Sequence, residues 1–294
     1  MTIAGLVRTE ARLASSGVPY ADLDDRLDHW EQLVGERLGL AFPRERESQL
    51  QRALAGRMRV TRCDDLRAYA DLLRVKPWEW DGLTDALTVR ETEFFRQPQT
   101  FEAVGNVLLP DLLKARSGRR ALRIWSAGCS EGDEAYSLAM LALDGLADSD
   151  GWRVRVTGSD ISARAIAAAS TGCYAAERLR RVPDVLRDRY FDNAPGSDVA
   201  RVGRKLREPT QFRQHNLVGR YWPMAAQDLI VCQNVLFYLR PAAQTLVIER
   251  LYRSLAPGGY LIVGVAEAPM EPLFGAVRPI VIDGARIYRR SEEA

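Results

Sequence analysis

Two carboxylates and a glycine turn are the residues best suited to chemistry. Residues 123–137 read Arg-Ile-Trp-Ser-Ala-Gly-Cys-Ser-Glu-Gly-Asp-Glu-Ala-Tyr-Ser, an apolar strand end, a turn of small residues and a helix start. Gly128 and Gly132 lack a Cβ, so the backbone there can approach a bound molecule closely. Ser130 and Asp133 suit a helix N-terminus, whose free N–H groups and dipole favour anionic or polar partners. Further on, Val154-Arg-Val-Thr-Gly-Ser-Asp160 reads as a second strand ending in an acid. A glycine turn after one strand and a carboxylate after the next are what a fold needs to hold a nucleoside. Each signal alone has a plainer reading: glycines often follow strands, and Asp is a good helix N-cap. In this order they point to Asp160 accepting hydrogen bonds from ribose hydroxyls. Glu134 could reach a cofactor amine or sugar, or simply favour the helix dipole at about 0.3–1 kcal/mol.

Three further segments carry candidates. In Thr88-Val-Arg-Glu-Thr-Glu-Phe-Phe-Arg96, Phe94 and Phe95 are expected to pack inward. Arg96, following that aromatic pair, is drawn toward the interior with a rigid fork for a carboxylate. Asp228-Leu-Ile-Val-Cys-Gln-Asn-Val-Leu-Phe-Tyr238 is an apolar strand running into a polar pair and an aromatic. Strand ends in open α/β sheets point into the ligand crevice, so Gln233 and Asn234 could bond an adenine or a methionine moiety. Tyr238 could bond substrate or belong to the core. Near the N-terminus, Arg52, Arg59 and Arg62 fall within about one quadrant of a helix at 100° per residue. They form either a solvated face or, beside a crevice, a docking surface for an acidic partner.

The elements that must position these residues come in two textures. Residues 1–19 carry weak signals and are expected to be an extension. From 20 to 87, helical spacing predicts four helices: 20–40, 47–62, one capped by Asp64 or Asp65, and 78–87. From 88 to 294, strands at 121–126, 153–158, 228–232 and 260–264 alternate with helices at 132–146, 162–170 and 241–255. That alternation implies a parallel sheet with helices on its faces. Pro257-Gly-Gly259 is expected as a turn before the fourth strand. Two β-rich runs flank Asp283-Gly284, a hairpin signal. An antiparallel hairpin closing a parallel sheet fits a methyltransferase sheet better than a plain dehydrogenase sheet. Within about 190–216, short polar runs at 199–202, 205–207 and 210–212 predict a small inserted antiparallel β-subdomain.

The bulk numbers exclude several classes. The chain has 294 residues, 47% hydrophobic, with a formal net charge of +2. That balance does not argue for nucleic acid. Cys63, Cys129, Cys173 and Cys232 are scattered without a C-x-x-C, so neither structural disulfides nor zinc is expected. Only His29 and His215 are present, a poor supply for a metal site or a histidine-based triad. The N-terminal residues do not read as a signal peptide, and no apolar run approaches membrane-spanning length.

These pieces in this order resemble the CheR family, the chemotaxis receptor glutamate methyltransferases that use S-adenosylmethionine. The resemblance covers about residues 20–290. It rests on Thr92-Glu-Phe-Phe-Arg96, Trp125-Ser-Ala-Gly-Cys-Ser130 with Glu134 and Tyr136-Ser137, Ser159-Asp-Ile161, Asn216-Leu217, Asn234 with Tyr238, and Pro257-Gly-Gly259. It implies an all-α N-terminal domain, a doubly wound Rossmann-like domain and the β-subdomain. It implies cofactor contacts from Arg90, Thr92, Arg96, Ala127, Gly128, Glu134, Asp160, Ile161, Asn216, Leu217, Gln233 and Asn234, with Arg96 and Tyr238 nearest the transferred methyl. It also implies S-adenosylhomocysteine as product, no metal, a cytoplasmic location, and the cytoplasmic helices of a chemoreceptor as partner, with the membrane met only through that receptor. The chain departs from the family pattern in three places. Arg90 stands where Asn is usual, Gln233 where Arg is usual, and Glu131, expected to face solvent, where Thr is usual. The departures at Arg90 and Gln233 leave open a catalytically weak or inactive adaptor on the same fold.

Overall fold

The computed structural model describes residues 26–147, 149–192, 198–264, 267, 277–282 and 285–292. Contacts divide the chain into two units: residues 1–89 with 218–220 and 237–246, and the remainder. The expected extension at 1–19 lies outside the described residues.

The first unit contains α1 (Leu27–Leu38), α2 (Arg44–Thr61), α3 (Leu66–Val75) and α4 (Glu79–Leu87). Asp65 caps α3, its carboxylate accepting from the Ala68 N–H at 2.7 Å. A left-handed glycine, Gly39, ends α1 where the predicted helix ran to 40. Trp30, Leu50, Leu54, Tyr69, Leu83 and Leu87 are the buried centre of this unit. Arg57, within the basic run of α2, turns inward: its guanidinium pairs with Glu79 at 2.7 and 2.8 Å, and Tyr69 donates to the same carboxylate at 2.9 Å.

The second unit opens with α5 (Pro98–Ala103) and α6 (Leu109–Ala115), joined by a π-turn at 104–108. No element was expected there. Pro98 and Pro110 look like breakers, but both stand in the first turn of a helix, where a missing N–H costs nothing. Then follow β1 (Ala121–Ala127), α7 (Asp133–Asp144), β2 (Arg153–Asp160), α8 (Ala163–Thr171), β3 (Cys173–Ala175), α9 (Asp184–Tyr190), β4 (Phe191–Asp192), β5 (Val199–Val202), α10 (Arg204–Arg207), β6 (Thr210–Gln214) and β7 (Gln227–Cys232). The chain ends with α11 (Pro241–Arg253), β8 (Leu255–Val263), β9 (Ile280–Ile282) and β10 (Ala285–Arg289).

Seven strands form the main sheet in the order β6-β2-β1-β7-β8-β10-β9. The five from β6 to β8 run parallel, and β10 and β9 close the edge antiparallel. The predicted hairpin is therefore present as paired strands, while Asp283 and Gly284 lie outside the described residues. β3, β5 and β4 form the separate antiparallel sheet.

Three element expectations are corrected. The run 205–207 is helical, within α10, and 210–212 belongs to β6 of the main sheet, beside β2. The small sheet instead draws its strands from 173–202, because Phe191 and Tyr174 pack edge-on against buried Phe94 at 5.4 and 4.9 Å. Pro257-Gly-Gly259 is not a turn ahead of β8 but lies inside it, where the pairing register with β7 shifts. No described helix is long and apolar enough to cross a membrane.

The chain passes from β1 outward to β2 and β6, then returns to β7 on the other side of β1. That reversal makes a crevice beyond the carboxyl ends of β1, β2 and β7. Gly128, Asp160 and Asn234 stand at those three ends.

Candidate active site

Backbone conformation is unusual where the site loops turn. Among the described residues, six non-glycine residues have positive φ, and three are Phe95 (53°), Ser130 (48°) and Asn234 (59°). Such strain persists only where the surroundings over-determine it. Phe95 shows how: its N–H donates to Ser137 Oγ at 3.1 Å, and that hydroxyl donates to the Asp133 carbonyl at 2.7 Å. Phe95 also packs edge-on against Phe101 at 4.9 Å. Both phenylalanines are buried, each worth about 1.5–3 kcal/mol of transfer energy. They anchor the segment that ends in Arg96.

The glycine turn is tighter than nucleoside contact alone requires. Gly128 (φ 83°) and Gly132 (φ 96°) adopt left-handed conformations. A Cβ on Gly128 would meet Val235 Cγ2 at 2.3 Å, and one on Gly132 would meet the Phe212 ring at 2.9 Å. The missing side chains thus admit the chain's own neighbours, which seats the turn against the loop after β7.

Asp160 does not cap the next helix. Ser162 does, its hydroxyl accepting from the Ala165 N–H at 3.0 Å. Each Asp160 oxygen accepts one backbone N–H, from Ser130 at 2.9 Å and Ser162 at 2.9 Å. These two bonds orient the carboxylate at the end of β2. Ile161 is half-buried beside it, and its carbonyl accepts from Gln214 Nε2 at 3.1 Å.

Glu134 lies in the first turn of α7 and takes a hydrogen bond from Ser126 Oγ at 2.7 Å. Burial, with the Glu267 charge, pushes its carboxyl up to about 7, against the opposing pull of Ser126 and Arg96. Asp133, fully buried, is raised by burial to about 6 against the pull of Arg178. A half-buried carboxyl bonded by one hydroxyl can take a further donor such as an ammonium. Ser130 Oγ nearby is buried without a hydrogen-bond partner. Both features fit a ligand carrying an ammonium and hydroxyl groups, as an amino-acid-bearing nucleoside does.

Arg96 lies on the same unit, its guanidinium donating to the Glu91 carbonyl at 2.6 Å and lining a cavity of about 410 Å³ with Thr92, Glu93 and Arg178. Gln233 is buried and spends its amide inside the chain, donating to Gln97 Oε1 at 2.5 Å and Thr100 Oγ1 at 2.9 Å. Asn234 Oδ1 accepts from Gln97 Nε2 at 3.3 Å. Leu217 is buried and Asn216 half-buried after β6. Ala127 ends β1 fully buried.

One expectation is overturned. Glu131 does not simply face solvent: it pairs with Arg178 at 2.5 Å and with Arg90 at 3.5 Å. Two of the three departures from the family pattern, Arg90 and Glu131, therefore meet in an ion pair. Tyr238 belongs to the first unit, where the Arg46 guanidinium lies 4.6 Å from its ring centroid. Arg52, Arg59 and Arg62 are exposed on that unit. Arg59 and Arg62 line a groove of about 600 Å³ with Leu27, Leu54, Met58 and Leu66, and Arg62 stands just past α2 as its left-handed cap.

Arg178 and Glu267 escaped sequence reasoning. Arg178 meets partners some 45 residues away, which spacing does not reveal. Glu267 follows β8, so the strand-end argument used for β1, β2 and β7 would have found it.

Residues 90–272 match the family described as CheR methyltransferase, SAM binding domain, and residues 25–88 match CheR methyltransferase, all-alpha domain. The chain belongs to the CheR methyltransferase family. It is 34% identical over 244 residues to Chemotaxis protein methyltransferase 2 of Pseudomonas aeruginosa, covering 80% of this chain and 85% of that one. It is 30% identical over 271 residues to the Chemotaxis protein methyltransferase of Klebsiella aerogenes, covering 88% and 91%. It is 33% identical over 270 residues to the "Probable biofilm formation methyltransferase WspC" of Pseudomonas aeruginosa, covering 91% of this chain but 62% of that longer protein. The crevice at the carboxyl ends of β1, β2 and β7 lies within the residues that match the SAM binding domain.

Proposed function

We propose that this chain transfers a methyl group from S-adenosylmethionine to glutamate γ-carboxylates on the cytoplasmic helices of a chemoreceptor. The observation that carries the reading is the half-buried Glu134 carboxyl, bonded by Ser126 at 2.7 Å, beside the strand ends where Gly128, Asp160 and Asn234 stand. Glu134 would take the amino group and Asp160 the ribose hydroxyls. Arg90, Thr92, Ala127, Gly128, Ile161, Asn216, Leu217, Gln233 and Asn234 would complete the cofactor's surroundings. When bound, the cofactor supplies an electrophilic methyl on a sulfonium. A glutamate side chain with a pKa near 4.3 is already ionised at pH 7, so no general base is needed. His215 is pushed by burial down to about 4, which keeps it neutral at pH 7. The protein's task is to align the acceptor oxygen with the methyl and to exclude water, which can lower a barrier by about 7–11 kcal/mol. Arg96 and Tyr238 would orient the acceptor. Arg52, Arg59 and Arg62 would dock the acidic surface around it, in the cytoplasm.

The test is transfer of tritiated methyl from S-adenosylmethionine to a receptor cytoplasmic fragment. Label released as methanol by mild alkali identifies a carboxyl ester. Alkali-stable label, or none, sinks the reading; cofactor binding without transfer favours the adaptor.

Glu134 also sets a pH dependence. Its folded value is raised from 4.5 to about 7, so the ligand-free protein holds a proton that the unfolded chain releases. Ligand-free stability should therefore fall as pH rises from about 4.5 to 7. Binding an ammonium favours the carboxylate. Affinity for S-adenosylhomocysteine should then rise about tenfold per pH unit below 7, with proton release, and level off above it. Calorimetry in two buffers of different ionisation enthalpy measures both; affinity independent of pH between 5.5 and 8 removes Glu134 from this role.

A further inference from the structure

Three consecutive backbone N–H groups converge on one carboxylate. Asn234 N donates to Glu267 Oε2 at 2.7 Å, and Val235 N and Leu236 N donate to Oε1 at 2.6 and 2.8 Å. Successive N–H groups in this arrangement make an anion-binding concavity, here filled by the chain's own side chain. Glu267 is buried. A turn after β8 brings it there, its N–H bonding the Gly264 carbonyl at 2.9 Å. The carboxylate lies so close over Gly264 that a Cβ at that position would meet Oε2 at 2.0 Å. Glycine at 264 and glutamate at 267 thus form one device. What it holds is the loop in which Asn234 sits at a φ of 59°.

We propose that Glu267 is a positioning residue for methyl transfer: its carboxylate fixes the loop after β7 so that Asn234 faces the cofactor. This rests on the cofactor reading of the crevice. The groups that act on Glu134 are Ser126 from β1, Arg96 from the segment before α5, and Glu267 itself, the like charge that disfavours ionisation. Asparagine tolerates the left-handed region better than most residues, and the three N–H bonds to Glu267 fix the loop in it.

The experiment uses the full chain with E267Q and E267D. S-adenosylhomocysteine affinity is measured by calorimetry from pH 5.5 to 8.5, and kcat and KM for S-adenosylmethionine in the receptor assay. In E267Q one oxygen becomes an amide that cannot accept the Asn234 N–H. Affinity at pH 8 should fall about 10–100-fold, the size of a lost charge-assisted bond. The midpoint of the pH dependence should also move to lower pH, because the like charge is gone. E267D keeps the charge and loses reach, so affinity falls while the midpoint stays near the parental value. A purely structural role would weaken both variants and move neither midpoint. If E267Q fails to fold, Gly264→Ala provides the second variant, displacing the carboxylate without removing it; it should weaken binding. Parental affinity and midpoint in E267Q, or parental affinity in Gly264→Ala, overturns the proposal. Absence of binding by the unmodified chain overturns the cofactor reading instead.

Discussion

Arg96→Ala is expected to reduce methyl transfer by about a hundredfold or more while leaving the protein folded. The fold should survive because Arg96 is partly exposed and its one strong bond, at 2.6 Å, goes to a backbone carbonyl in an exposed loop. Its ion pair with Glu91, at 4.0 Å, is also exposed. The chemical loss is expected to be large because Arg96 follows the buried Phe95, which anchors the segment that carries it. Charge on the acceptor and on the sulfonium falls as the methyl moves, so an arginine that gripped the carboxylate tightly would oppose the reaction. On the proposed reading Arg96 is a positioner, and the deficit should appear mainly in kcat. A second consequence is separable. Arg96 pulls the Glu134 titration down, so its loss should move the midpoint of cofactor binding to higher pH. Single-turnover transfer and the calorimetric pH series check the two effects. Near-parental kcat in a folded variant would remove Arg96 from the mechanism.

How far such residues could be read before the fold was seen depends on the range of the forces that place them. β1, β2, β7 and β8 were legible because strands buried on both faces show as short apolar runs ending in small or polar residues. Gly128, Asp160 and Asn234 followed from those ends. The helices at 98–115 were hidden by Pro98 and Pro110, which read alike whether they start a helix or stop one. The stretch 204–214 is ambiguous because a run as short as Arg204-Lys-Leu-Arg207 does not distinguish a helical turn from a strand. Its last part pairs with β2, some 54 residues earlier. Asp160 was read as either ribose ligand or helix cap; Ser162, two residues on, took the cap. Gln233 looked like a lost charge toward the cofactor, yet its amide is bound by Gln97 and Thr100. Glu131 looked solvent-facing, yet Arg178 and Arg90 claim it. In each case the deciding partner is distant in sequence, so local pattern found the positions and missed the pairings.

Arg178 is the most consequential of those hidden partners, and Arg178→Ala should destabilise the protein strongly. Its guanidinium holds Asp133 through both oxygens, at 3.1 and 2.5 Å, and Glu131 at 2.5 Å, and reaches the Thr92 carbonyl at 3.3 Å. Asp133 is fully buried at the start of α7. Removing the partner of a buried charge costs about 3–5 kcal/mol when the charge must stay. Asp133 has an escape, since a buried carboxyl can take up a proton instead. Burial already raises it from 3.8 to about 6 with Arg178 in place, and without that pull the folded value goes higher. The sign follows: a folded pKa above the unfolded one means the penalty grows as pH rises from about 4 through the raised value. Urea unfolding at pH 5 and pH 8 should therefore show a modest loss at the lower pH and most of the penalty at the higher. Asp133→Asn in the same background should recover part of the loss at pH 8, because it removes the stranded charge. A deficit equal at both pH values, with no recovery by the second change, would mean that Arg178 stabilises through packing on the Tyr174 ring and not by neutralising the head of the cofactor helix.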